Sequence, residues 1–229
     1  MTMSCTRKCI GFCLLFLMQL AGAQESFTGY WESSMALNYR VTNTYTHNFS
    51  LANRSYLIQD EAFGLTIRQF DLAHFSALKL RDNQSIGLGL QYRFRKAFDK
   101  NTGNELRLTQ QYNITSRTGA IRIGHRLRSE QRIFSAVTVH RFRYRFALDS
   151  PLQGEQLDIG ETYLVSSLES LLSVTRVQGP QYDHRIRMQL GWLLQAGVNM
   201  EVGLEYRFED YTNDTSQILF ILNSLVFSF

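Results

Sequence analysis

Apolar and polar residues alternate with a period of two along most of the chain beyond residue 33, and turn signals separate the runs. Ile86, Leu88, Leu90, Tyr92 and Phe94 alternate with Gly87, Gly89, Gln91 and Arg93. Ile121, Ile123 and Leu127 alternate with Arg122, Arg126, Arg128, Glu130 and Arg132, and Phe142, Tyr144 and Phe146 with Arg141, Arg143 and Arg145. Ile186, Met188, Leu190 and Trp192 face away from Arg185, Arg187 and Gln189; Met200, Val202, Leu204 and Tyr206 face away from Glu201, Glu205 and Arg207. The pattern predicts strands near 34–44, 48–58, 65–77, 84–95, 104–115, 120–133, 136–148, 160–174, 183–194, 198–208 and 217–229. Single-chain bacterial barrels usually have an even number of strands. The expectation is therefore twelve, with one more strand in the N-terminal region, and ten as the alternative if one early segment stays out of the wall.

The two faces set the architecture. The polar faces are dense in Arg and Glu, which a lumen can hydrate or pair, while the apolar faces carry aromatics towards their ends, as at the interfacial girdles of outer-membrane barrels. Connections mostly alternate in length. Arg81-Asp82-Asn83, Thr118-Gly119 and Gln195-Ala196-Gly197 are tight, whereas 96–104, 175–183 and 209–216 are long and polar. The connection 149–158 and the tight Phe134-Ser135 break that rule. The predicted fold is all-β: a transmembrane, antiparallel, up-and-down β-barrel with its apolar side outward, in one domain over residues 24–229.

The ends of the chain suit export. Arg7 and Lys8 precede an apolar stretch, Ile10 to Leu20, and a small-residue site, Ala21-Gly22-Ala23. This reads as a signal peptide, residues 1–23, cleaved before Gln24; its core is too short to span a bilayer. Cys5, Cys9 and Cys13 all lie in it, so the mature chain has neither disulfide nor thiol site. At the other end Leu225, Phe227 and Phe229 alternate in an apolar strand that stops on an aromatic residue, the form of signal read by barrel-assembly machinery.

Charge alters the picture through its type. Of 24 cations, two fall in the signal, which leaves 22 against 20 acids, too even for a nucleic-acid binder. The mature chain holds 19 Arg and only Lys79, Lys96 and Lys100. Arg pairs carboxylates through a planar fork and suits confined sites. Arg93, Arg95, Arg107, Arg122, Arg126, Arg128, Arg132, Arg141, Arg143, Arg145, Arg185, Arg187 and Arg207 fall on the inward faces. Glu105, Glu130, Glu161, Glu169, Glu201 and Glu205 answer them. Loop acids Asp60, Glu61, Glu209 and Asp210 are candidates to fold inward and reduce the excess.

Turn geometry names some of the pairs. If Thr118-Gly119 centres its hairpin, Arg107 faces Glu130 and Glu105 faces Arg132. If Gln195-Ala196-Gly197 is a three-residue loop with Gly197 left-handed, Arg187 faces Glu205 and Gly191 leaves room opposite Glu201. The same register sets Arg185 against Arg207, which needs an acid or water between them. Opposed charges stabilise a strand pair by only about 0.2–1 kcal/mol each.

Little in the chain points to catalysis. His47, His74, His125, His140 and His184 belong to no recognisable hydrolase motif, and His125 and His140 fall on outward faces. Metal spacings, phosphate-cradling loops and nucleotide motifs are missing from the sequence, so no cofactor is expected.

The runs His125-Arg126-Leu127-Arg128-Ser129-Glu130-Gln131-Arg132 and Arg141-Phe142-Arg143-Tyr144-Arg145-Phe146, followed by Pro151-Leu152, resemble an uncharacterised Bacteroidetes-type family of outer-membrane proteins, domain of unknown function 2490. Asn104-Glu105-Leu106-Arg107 and Gly203-Leu204-Glu205-Tyr206-Arg207 fit the same pattern. The resemblance covers nearly all of the mature chain. It implies a barrel in the Gram-negative outer membrane and carries no activity and no catalytic residues. Two functions follow as expectations. The first is a non-enzymatic barrel, structural or a narrow passive pore with an Arg-rich, anion-preferring lumen. The second is an outer-membrane enzyme or adhesin with its site in the loops. The expected partners are outer-membrane lipid, the assembly machinery and small anionic solutes, without nucleic acid.

Overall fold

A computed structural model describes residues 27–59, 62–100, 102–213 and 215–229. The expected signal peptide, its cleavage site, Asp60 and Glu61 lie outside the described residues. Eleven strands form one closed barrel: β1 Phe27–Arg40, β2 Tyr45–Gln59, β3 Ala62–Arg81, β4 Gln84–Phe94, β5 Glu105–Thr118, β6 Ile121–Ile133, β7 Thr138–Pro151, β8 Thr162–Val174, β9 Gln181–Gln195, β10 Val198–Glu209 and β11 Ser216–Ser228.

The expected twelve strands, and the alternative of ten, are corrected to eleven. Sequential neighbours pair antiparallel, but β1 and β11 pair in parallel, from Phe27↔Gln217 to Asn38↔Ser228. The reason is parity. In an up-and-down chain with an odd number of strands, the first and last run the same way, so the ring can close only through a parallel ladder. β1 starts seven residues before its expected beginning, because residues 27–33 mix small and polar residues and show weak alternation. The seam is completed by Phe229, whose N–H donates to Asn38 O at 2.9 Å while its carbonyl accepts from Arg40 N at 2.8 Å.

The apolar faces point outward. Leu88 is 65 % exposed, and Leu90, Leu127, Phe142, Ile186, Met188 and Leu204 are exposed with it. The buried set is instead largely charged and polar, including Asp71, Arg93, Glu105, Arg107, Glu130, Glu205 and Arg207. A soluble barrel would invert this arrangement, because exposed apolar area in water is unfavourable by about 25 cal/mol per Å². The inward apolar cluster is small: Tyr30, Phe220 and Leu222, with Tyr56 and Ile218 against it, all on β1, β2 and β11.

Turns at one end are short: 41–44, 82–83, 119–120 and 196–197, with 152–161 the long exception. The other end carries 95–104, 175–180 and 210–215, the short link 134–137 and the tip of the β2–β3 hairpin. On one side that hairpin rises past its neighbour, since β3 meets β4 only from Phe70 onward. Gly197, at φ +77°, makes the expected left-handed turn, with a bulge between Val198 and Asn199.

Candidate functional site: an arginine-lined interior

The hairpin registers place the charges. On β9 and β10 the expected register holds: Glu205 faces Arg187, Glu201 faces Gly191 and Arg207 faces Arg185. Arg187 Nε donates to Glu205 Oε2 at 2.5 Å, and Arg207 Nε donates to Glu205 Oε1 at 2.5 Å. The room at Gly191 is taken by the Tyr163 ring, where an added Cβ would come within 2.2 Å of the ring carbon Cζ. The Tyr163 hydroxyl then donates to Glu201 at 2.8 Å, joined by Gln189 at 3.2 Å and Ser224 at 3.3 Å.

The β5–β6 register differs from expectation. Arg107 faces Arg132, and Thr109 faces Glu130. The hairpin centres on Gly119-Ala120, with Gly119 at φ +58°. A positive φ at the first of two central residues is the II′ pattern, which glycine favours; Gly119 therefore leads the turn rather than ending it. Moving the centre by one residue slides the partners by two, which leaves every side chain on its face. The charges consequently still meet along diagonals. Glu105 accepts from Arg132 at 2.7 and 2.9 Å and from Arg107 at 2.6 Å, while Arg107 lies 3.8 Å from Glu130.

The interior is thus a lattice in which Glu105, Glu130, Glu169, Glu205 and Glu209 each serve more than one guanidinium group. Glu130 meets Arg143 at 2.8 Å and Arg128 at 3.5 Å. Glu169 meets Arg143 at 2.5 Å and Arg185 at 3.7 Å. Glu209 folds inward to Arg207 and Arg185, at 3.7 and 3.9 Å, so the facing Arg185–Arg207 pair has its acid. Arg141 donates to Ser173 at 2.8 Å and lies 3.7 Å from Asp183.

Several expected interior residues sit elsewhere or are held by neutral partners. Arg122 is at the short-turn rim, its side chain 64 % exposed and paired with Asp149. Glu161 is corrected from the lumen to the 152–161 connection, where its carboxylate accepts from the Asp158 N–H at 2.9 Å. Asp210 stays in its loop, with Asn213 at 2.8 Å. Among the described residues the Arg95 side chain hydrogen-bonds only Gln69, at 3.2 Å, and that of Arg126 only Asn113, at 2.8 Å. Arg145 makes no side-chain hydrogen bond or ion pair with a described residue, and its buried Nε is unpartnered.

Sequence reasoning missed Glu32, Asp71 and Asp183, which answer Arg54, Arg93 and Arg141. Asp71 was legible, because it lies on the polar face between Phe70 and Leu72. Glu32 was not, since its strand starts in the weakly patterned segment. Also unforeseen is the stacking of Arg207 and Arg54 on Phe220, with guanidinium-to-ring distances of 3.8 and 4.7 Å.

Three cavities follow one another through the interior. One of 370 Å³ lies towards the long loops, between Arg54, Arg95, Arg141 and Glu209. One of 160 Å³ sits between Arg126, Arg145 and Arg187 and shares Arg128 and Arg143 with the first. One of 450 Å³ at the short-turn end is lined by Lys79, Arg81 and Asn113, the partner of Arg126. On the outer wall a concavity of 1070 Å³ is lined by Tyr112, Phe142, Tyr144, Tyr182 and His184.

The outer face also joins histidines to serines. Ser76 Oγ is 3.3 Å from His47 Nδ1, and that same nitrogen is 2.9 Å from His74 Nε2. Ser170 Oγ is 3.0 Å from His184 Nδ1. A hydrolytic relay uses one ring nitrogen for the nucleophile and the other for the orienting group. At His47 both contacts converge on one atom.

Among known proteins, the OmpT outer-membrane protein of Vibrio cholerae, in vitro folded and in its trimer form, is similar in structure with a TM-score of 0.42 and 7 % identity, over 75 % of this chain and 78 % of that one. No curated protein matches the chain. The family model for a protein of unknown function, DUF2490, matches residues 21–217. With that match spanning most of its length and an apolar-out, closed barrel as its fold, the chain belongs to the DUF2490 family.

Proposed function

We propose that this barrel is exported through its N-terminal signal, is inserted by the assembly machinery into the Gram-negative outer membrane, and serves there without enzymatic activity as a narrow passive path that favours small anions. The observation that carries this reading is the string of three cavities along an interior where Arg outnumbers carboxylate. Fixed positive charge in a low-dielectric channel concentrates anions. Eleven strands give a bore only somewhat wider than the side chains that fill an eight-stranded barrel. The Arg side chains between the cavities therefore limit the path to small solutes and low conductance.

The outward apolar wall supports lipid as the surrounding solvent. It is bounded by aromatics such as Tyr39 near one end and Tyr92 and Phe94 towards the other, all exposed, in the manner of barrel girdles. The deciding experiment is a planar-bilayer recording of the refolded protein across a salt gradient. A small conductance with a reversal potential towards the anion is expected. Cation preference would overturn the Arg-lined path, and silence at all voltages would leave a closed, structural barrel.

A further inference from the structure

Like-charged arginines face each other directly at four enclosed positions of the wall, apart from Arg117 and Arg122 at the exposed short-turn rim. Arg107 faces Arg132, Arg128 faces Arg143, Arg185 faces Arg207 and Arg126 faces Arg145. In the first three a carboxylate bridges the two cations. Glu105 holds Arg107 and Arg132, Glu130 holds Arg128 and Arg143, and Glu209 holds Arg185 and Arg207. No carboxylate among the described residues bridges the fourth. Arg126 has only the neutral Asn113, and Arg145 has no side-chain partner among the described residues. Glu169 is the other cross-strand neighbour of Arg145, but its carboxylate is drawn to Arg143 at 2.5 Å and Arg185 at 3.7 Å.

The fourth pair is also where the wall leaves space. The 160 Å³ cavity is lined by Arg126 and Arg145 together with Ser167, a buried hydroxyl opposite Arg187, and by Glu169 and Glu205, whose carboxylates are engaged by Arg143 and Arg185 and by Arg187 and Arg207. That volume is about five waters' worth, enough for a small oxyanion and too little for a lipid headgroup with its glycerol. Arg145 lines the cavity, and its buried Nε has no hydrogen-bond partner among the described residues. Buried cations left without a counter-charge are costly, and a planar guanidinium fork matches an oxyanion edge.

We propose that the space between Arg126 and Arg145 is a binding site for one small free oxyanion of the phosphate, sulfate or carboxylate class, standing where a carboxylate stands in the other three facing pairs. The proposal rests on the reading of the interior as open to anions and adds to it a discrete, saturable site. A bound anion there would sit midway between the two larger cavities and would slow the passage of others.

The test is calorimetric titration of the refolded barrel in non-ionic detergent with inorganic phosphate, then sulfate, then acetate, at constant ionic strength. One saturable site per barrel is expected. Arg145→Gln should weaken it at least tenfold, while Arg176→Gln, on an exposed loop residue, should leave it unchanged. Ser167→Glu places a carboxylate in the cavity and should abolish binding with Arg126 and Arg145 both intact, so the site is read even if Arg145→Gln refolds poorly. No saturable uptake by the unaltered barrel, or equal affinity in Ser167→Glu, would overturn the site. Saturable binding with a silent bilayer would uphold the site and remove the path. Anion-selective conductance without saturable binding would do the reverse.

Discussion

Arg107 stands directly opposite Arg132 across the β5–β6 ladder, and one carboxylate, that of Glu105, holds both at 2.6 and 2.7 Å. The repulsion inherent in that register is offset by a residue two positions along the same strand. Its side chain is fully buried and also reaches Arg93 at 3.5 Å. Glu105→Gln should therefore destabilise the barrel by about 3–5 kcal/mol, the usual cost of breaking a buried ionic cluster, as read by denaturant unfolding. A double-mutant cycle should give a larger coupling for Glu105 with Arg132 than for Arg107 with Glu130, which are 3.8 Å apart. Equal couplings would favour the register centred on Thr118-Gly119.

The parallel seam predicts a specific cross-link. Ser34 and Ser224 are partners in the β1–β11 ladder, and neighbouring strands lie within disulfide reach. Ser34→Cys with Ser224→Cys, in a chain whose remaining cysteines are confined to residues 1–23, should oxidise to a bridged monomer that resists opening in detergent. A ten-stranded wall without β1 would leave both thiols free.

The outward face predicts the effect of a charge. Leu88 lies near the middle of β4 and is exposed. Leu88→Arg should cost about 2–4 kcal/mol of folding stability in lipid vesicles, as Arg does at the midplane of membrane barrels. If the variant folds as well in vesicles as the parent, Leu88 does not face lipid.

Gly191 predicts a packing effect at a position that looks permissive in sequence. Gly191→Ala drives a Cβ to 2.2 Å from the Tyr163 ring, so the ring must move and weaken its bond to Glu201. Overpacking of this kind costs about 1–3 kcal/mol. In a Tyr163→Ala background most of that penalty should vanish; if it persists, the ring is not the obstacle.

Phe229 predicts two separable defects. Deleting it removes both of its backbone hydrogen bonds to β1 as well as the exposed terminal ring. Phe229→Ala keeps the backbone bonds and removes only the ring. The deletion should refold more slowly in vitro than Phe229→Ala, while both should lower the heat-modifiable fraction in cell membranes. Equal refolding rates would show that the seam does not need its last residue.

Much of the interior chemistry was readable because inward position follows from parity alone. Arg185, Arg187, Glu201, Glu205 and Arg207 could be placed from Gly197 and the alternation, since a bulged turn sets the register of its hairpin. Glu32 could not, because Thr28 to Ser34 carry too little contrast between faces to signal a strand. Glu209 could be named only as one of four candidates to fold inward: whether an acid at the end of a strand turns inward depends on the Arg185 and Arg207 it meets.

The amino-acid order by itself determined an all-β wall with Arg and Glu on one face and apolar residues on the other, because a period of two is a property of each strand alone. It also determined that tight turns would join neighbours in antiparallel pairs. Only the closed tertiary structure decided that eleven strands meet in a parallel seam, that Gly119 leads its turn, and that the enclosed Arg126 and Arg145 face each other without a shared acid among the described residues. The last of these depends on strands distant in the chain competing for the same few carboxylates. Ring closure sets which guanidinium reaches each carboxylate first, and local alternation carries no information about that contest.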